Sequence, residues 1–259
     1  MLLILRLTLV PVLVAGVTLA SRRWGPRVGG FVNALPAVAG PTFCFYAVQQ
    51  GNAFAATAAR GTLLGLVSLS VFCVAHAHAS RRMHWLLCLL IGWLAFGVVT
   101  LLVYRVNVGA GVGLLVAIAA LLGARMLLPA SEPVTRVTSA PRWDLPLRML
   151  STAALVFTLT AIAQRLGPTV SGVLTPFPVA TAVVAGFTHV QRGSDAVVAF
   201  FRGLLPALCG FAVFCTVLAV TLPVWTLVAS VSAALAVQLA VQALFFSGAA
   251  ASRPRRSSV

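Results

Sequence analysis

Apolar residues along the chain come in runs of about 20, the length a helix needs to cross roughly 30 Å of hydrocarbon. Arg, Gly, Pro or Asn bound the runs and predict nine helices, at 2–21, 28–49, 53–78, 84–104, 107–128, 147–164, 169–190, 196–219 and 224–246. Nine crossings take roughly 180 residues at about 20 each, so the connections are short. The longest polar connection, 129–146, holds Glu132 and Asp144, two of the three acidic residues, and divides the chain.

Composition narrows the class. Hydrophobic residues make up 61% of the 259 positions and charged ones only 8%, against about 25% in soluble domains, which excludes a soluble globule. A net charge of +15 would suggest nucleic acid if the basic residues formed a patch on a folded soluble domain. Instead all 18 are Arg, most in twos and threes between apolar runs, as in cytoplasmic loops, and no nucleic-acid partner is expected. Cys44, Cys73, Cys88, Cys209 and Cys215 lie inside apolar runs with no CxxC or zinc spacing and read as small buried hydrophobes. The run Leu2–Ala20 followed by Ser21 has the form of a signal peptide, but it also belongs to a repeat, which argues that it is retained.

A constant shift of 142 aligns Arg23-Trp-Gly-Pro-Arg-Val-Gly-Gly30 with Arg165-Leu-Gly-Pro-Thr-Val-Ser-Gly172. At the same shift Pro36 falls on Pro178, Gln49 and Gly51 on Gln191 and Gly193, Arg60-Gly61 on Arg202-Gly203, and Phe72-Cys73 on Phe214-Cys215. About 17 identities fall in the 55 positions from Arg23 to Ala77, and upstream Arg6 matches Arg148. Spans 1–4 thus repeat as spans 6–9, with span 5 a connector. Five crossings separate equivalent points, an odd number, so the halves must be oppositely oriented. Loop charge agrees with that orientation: over nine crossings thirteen Arg fall on one side and Arg105 and Arg165 on the other, with Arg6, Arg60 and Arg202 inside spans. The excess marks the cytoplasmic face. The predicted fold is an all-α polytopic membrane protein with an inverted-topology repeat. Its parts are a first repeat 1–104, a connector helix 105–128, a polar loop 129–146, a second repeat 147–246 and a basic cytoplasmic tail 247–259. The N-terminus is expected outside and the C-terminus in the cytoplasm.

Spans 2 and 7 are the least helix-like. Asn33, Pro36, Gly40 and Pro41 interrupt one, and Thr175, Pro176 and Pro178 the other. Interior Pro removes a helical hydrogen bond, and paired broken helices are the best sequence pointer to a midplane transport site. Arg60 and Arg202 sit about two turns into spans 3 and 8, with no carboxylate deep in any span. An intramembrane Arg marks a functional site by default. Both guanidinium groups are therefore expected to point at the Pro36 and Pro178 breaks, making Arg60, Arg202, Asn33, Pro36, Thr175 and Pro178 the candidate substrate-binding residues. Snorkelling to the interface is the competing account of either Arg, and the better one for Arg6 and Arg148. Asn52 and Asp195 fall where spans 3 and 8 need N-caps. Gln238 and Gln242, at i, i+4 spacing on span 9, are expected to bond a neighbouring helix. No HExxH, GxSxG or carboxylate pair is present, so neither an enzyme nor a metal or other cofactor is expected.

The segment Val28-Gly-Gly-Phe-Val-Asn-Ala-Leu-Pro36 with the Gln-Gly turn and Arg60-Gly61 resembles the glycine-x-leucine-x-x-x-x-proline opening of small bacterial inner-membrane proteins of the GlpM type. The resemblance covers about 50 residues of each half and rests on Gly30, Pro36, Gly172 and Pro178. It implies an inner-membrane protein, in some cases linked to exopolysaccharide production. The expected function is a secondary transporter or exporter of a small anionic solute. The alternative is a non-transporting membrane subunit that binds lipid or supports envelope biosynthesis. The expected partners are the lipid bilayer and a small solute, with homo-oligomerisation left open.

Overall fold

The computed structural model describes residues 2–106, 108–132, 143–166 and 177–251. Among these there are nine helices and no strand: α1 Leu2–Trp24, α2 Pro26–Asn33, α3 Ala39–Gln50, α4 Asn52–Ala79, α5 Trp85–Val103, α6 Ala110–Leu127, α7 Asp144–Leu166, α8 Val179–Thr221 and α9 Leu227–Ala251. Five of them, α4, α5, α6, α8 and α9 (the last over Leu227–Leu244), are long and apolar enough to cross a membrane. Their outer faces stay apolar, with Leu94 on α5, Leu115 on α6 and Val228 on α9 each more than two-thirds exposed. A surface of that kind fits contact with lipid.

Predicted span 2 is two helices. α2 ends at Asn33, α3 begins at Ala39, and Pro36 lies in the gap, where its missing N–H and its ring prevent the helix from continuing. Positions 169–176 lie outside the described residues; from Val179 onward, predicted spans 7 and 8 form one long element whose only non-helical residue is Gly193, at φ 79° and ψ −177°. Its sequence counterpart Gly51, between α3 and α4, has φ 88° and ψ 160°. Both sit in a backbone region that a side chain rarely tolerates, which accounts for glycine at both positions. Gly51 itself, not Asn52, occupies the N-cap of α4, with no side-chain cap, and Asp195 accepts a hydrogen bond from Arg81 Nη1 at 2.9 Å. The expected capping roles of Asn52 and Asp195 are therefore replaced, because glycine has already made the turn.

α8 is the central helix. Of its most apolar stretch 72% is buried, against 22–44% for the other four long apolar helices, and it packs on α2, α4, α6 and α9. Phe200, Phe201, Leu204, Leu205 and Phe214 of α8 are fully enclosed, with Phe72 of α4 edge-on to Phe201 at 6.4 Å. The α2–α8 crossing brings backbone onto backbone. A Cβ added to Gly30 would lie 2.0 Å from the Phe200 carbonyl oxygen, and one added to Gly203 would lie 1.8 Å from the Arg27 carbonyl oxygen.

The turns rich in Arg gather at one end of the bundle. Arg22 at the end of α1 bonds Asp144 at the start of α7, Arg192 beside the α8 break reaches the Ser21 carbonyl, and Arg81 beyond α4 joins Asp195 and the Ala130 carbonyl. These contacts hold five helix ends together.

Candidate functional site

The predicted residues divide between the helix breaks and the bundle surface. At the first break, the carbonyl of Ala34 has lost its helical partner, and Gln238 Nε2 of α9 donates to it at 3.3 Å. Gln238 is fully buried. Asn33 Nδ2 donates to Thr181 Oγ1 at 2.8 Å, which ties the end of α2 to the first turn of α8, three residues beyond buried Pro178 at its N-cap. Asn33 and Thr181 thus join the end of α2 to the start of α8, and Pro36, in the gap after α2, is buried. Asn33 Oδ1 and Gln238 Oε1 are buried acceptors with no partner among the described residues. Thr175 and Pro176 lie outside the described residues. Gln242 donates to the Ala207 carbonyl at 3.4 Å, so both glutamines of α9 bond to neighbouring helices as expected.

The two intramembrane Arg residues make other contacts than those expected. Arg60 is exposed, and its hydrogen bond, at 3.3 Å, goes to Thr57 one turn earlier on its own helix. Arg202 Nη2 donates to the Pro129 carbonyl at 3.0 Å, while its Nε is buried without a partner among the described residues. Among the described residues neither bonds a carbonyl of a break: at Ala34 the uncharged amide of Gln238 satisfies the backbone, which avoids burying a charge to do so.

The densest polar chemistry was not among the predicted site residues. Asp144, the first residue of α7, is fully buried, and Arg148 one turn on is 4% exposed. Arg148 Nε donates to both carboxylate oxygens, at 2.9 and 3.0 Å, and Arg22 Nη2 to Oδ2 at 2.5 Å. Gln191 closes the ring, its Nε2 donating to Asp144 and its Oε1 accepting from Arg148 Nη2 at 2.9 Å. The Arg148 guanidinium also lies 4.8 Å from the Phe187 ring centroid, a cation–π contact. Asp144 precedes the apolar span that starts at 147. Burial alone would push its carboxyl pKa up, but the Arg148 charge and the hydrogen bonds from Gln191, Arg22 and Arg148 outweigh burial and hold it below the ordinary carboxylate value. Against the snorkelling expected of it, Arg148 is thus a buried cation held by Asp144 and Gln191.

Arg192 completes the cluster, with one hydrogen bond, Nη1 to the Ser21 carbonyl at 3.2 Å. Together with Arg22, Arg148, Thr18, Thr188 and Gln191 it lines a polar cavity of about 10 Å³, room for about one water. The signal for this cluster lay in the repeat, where Arg6/Arg148 and Gln49/Gln191 coincide at one shift. In the second half these two positions are joined by the Arg148–Gln191 hydrogen bond. No protein-family model, curated protein or solved structure matches the chain.

Proposed function

We propose that the chain is a secondary transporter or exporter of a small anionic solute, built from two oppositely oriented halves with the Pro-broken segments meeting between them. The observation that carries this reading is the Asn33–Thr181 hydrogen bond, which joins the end of α2 before Pro36 to the first turn of α8 after Pro178. Asn33 Oδ1, and Oε1 of the Gln238 that bonds Ala34, are buried oxygens with no partner among the described residues. Interrupted helices of this kind expose polar backbone at membrane depth where a solute can use it. Two further matches support the duplication. Gly51 and Gly193 share one unusual backbone conformation. Gln238 of α9 contacts the first break, and Phe96, its counterpart on α5, packs on Phe177 at the second, with ring centroids 5.6 Å apart. In this reading the Arg-rich end faces the cytoplasm of a bacterial cell, and there is no catalytic chemistry.

The test is flux. Purified protein in liposomes is loaded with phosphate, sulfate or a short dicarboxylate, and exchange against the labelled anion is followed. Saturable exchange of at least one anion is expected, reduced at least tenfold by Asn33→Ala at unchanged protein yield. No saturable flux of any of the three in either direction overturns the anion-transport reading. A second reading, a non-transporting subunit that binds lipid and supports envelope biosynthesis, as the GlpM-type resemblance implies, is favoured by the small size of the cavity among the Arg side chains. It expects no flux and phospholipid retained through purification.

A further inference from the structure

We propose that Arg22, Arg148 and Arg192 form a binding site for a phosphate group at the Arg-rich end of the bundle, with Asp144 as a built-in competitor for the same guanidinium groups. This goes beyond transport and does not depend on it. The argument begins with charge. Arg22 and Arg148 bond the one carboxylate of Asp144, and Arg192 joins them around the cavity without bonding it, leaving two positive charges in excess around walls that are largely buried. The chain has only two other acidic side chains. Asp195 is taken by Arg81, and Glu132 is exposed. Neither serves the cluster, and excess positive charge in a partly buried site is costly, which favours a compensating anion from outside the protein.

Geometry points to the class of anion. Arg presents rigid planar forks that match the oxygens of a carboxylate or phosphate two at a time, and the lining hydroxyls of Thr18 and Thr188 add neutral polar groups. A tetrahedral dianion would balance the excess. The cavity has room for about one water, which is too small for a phosphate group beside the carboxylate. Entry therefore requires the phosphate to take Arg22 from Asp144, and Arg22 is the member free to move, its side chain being 30% exposed. Arg148 is locked by both carboxylate oxygens and Gln191, and keeps Asp144 charged and in place during the exchange. Trp24 and Trp143 flank the cluster in sequence and are 63% and 60% exposed, in the manner of aromatic residues at the headgroup level. The phosphate is thus within reach either as a free anion or as part of a lipid headgroup.

The experiment measures the thermal midpoint of the purified full chain in detergent, with sodium phosphate against sodium chloride at matched ionic strength, and separately with short-chain phosphatidylglycerol. Phosphate is expected to raise the wild-type midpoint more than chloride does. Asp144→Asn, which removes the competitor, should start lower and rise further. Arg192→Gln and Arg22→Gln should lose the response, while Arg82→Gln, on an exposed turn, should keep it. A response to inorganic phosphate identifies the free anion, and a response to the phosphatidylglycerol alone identifies the headgroup. If neither probe shifts the wild-type midpoint beyond chloride, or if Arg192→Gln responds like the wild type, the inference is overturned. Should Asp144→Asn fail to fold, the wild type and the two Arg variants decide. The assay involves no flux, so its failure leaves the transport reading to its own test.

Discussion

Gly30 and Gly203 are each pressed against the backbone of the other's helix, and no side-chain rearrangement can make room there, because the atoms a Cβ would strike are the carbonyl oxygens of Phe200 and Arg27. Gly30→Ala and Gly203→Ala should each cost about 1–3 kcal/mol or more through overpacking, read as a lowered thermal midpoint in detergent. Gly97→Ala, with no described atom within 4 Å, should leave the midpoint unchanged or raise it slightly through helix propensity. The sequence marked both tight positions as members of the repeat but could not distinguish them from Gly61, since the distinction depends on which helix crosses which. The same limit hid the role of Asp144. In the sequence it is one acid in a polar loop, and only the fold brings Arg22 from 122 residues away to meet it. Arg60 and Arg202 were read the other way, as partners of the breaks, because an intramembrane Arg signals a buried contact without naming the acceptor.

At the scale of the helix, periodicity and breakers located nearly every element. α4, α5 and α6 begin and end within three residues of predicted spans 3, 4 and 5, and Pro36 splits span 2 where an interior Pro must. What patterning could not supply was the partner of the split. That partner is Gln238, on a helix more than 200 residues away, whose amide replaces the backbone donor that Ala34 has lost. Gln238→Leu should therefore destabilise by about 1–3 kcal/mol, the cost of an unsatisfied buried carbonyl. Pro36→Ala should offset part of that loss by letting the helix close over Ala34. A double-mutant cycle of thermal midpoints checks this: the pair should be less destabilised than the two single changes sum to, and strict additivity would mean that Gln238 acts by packing alone.

For the whole molecule, the arrangement at stake is the relative orientation of the two halves, which rests on the count of crossings and on the distribution of Arg. Oppositely oriented halves place equivalent positions on opposite faces of the membrane, whereas a parallel duplication places them on the same face. Arg82 and Val224 are equivalent at the 142-residue shift and both are exposed. Asn52 and Ser194 are a second such pair, each half-exposed beside the glycine that breaks its helix. Single cysteines at these four positions, in a chain whose five native cysteines are replaced, can be labelled with an impermeant maleimide from either side of oriented vesicles. Arg82→Cys and Ser194→Cys should react from the cytoplasmic side, where loop Arg accumulates, and Val224→Cys and Asn52→Cys from the other. If the two members of each pair react from the same side, the halves are parallel, the odd count of five crossings is wrong, and the shared axis between the Pro36 and Pro178 breaks goes with it.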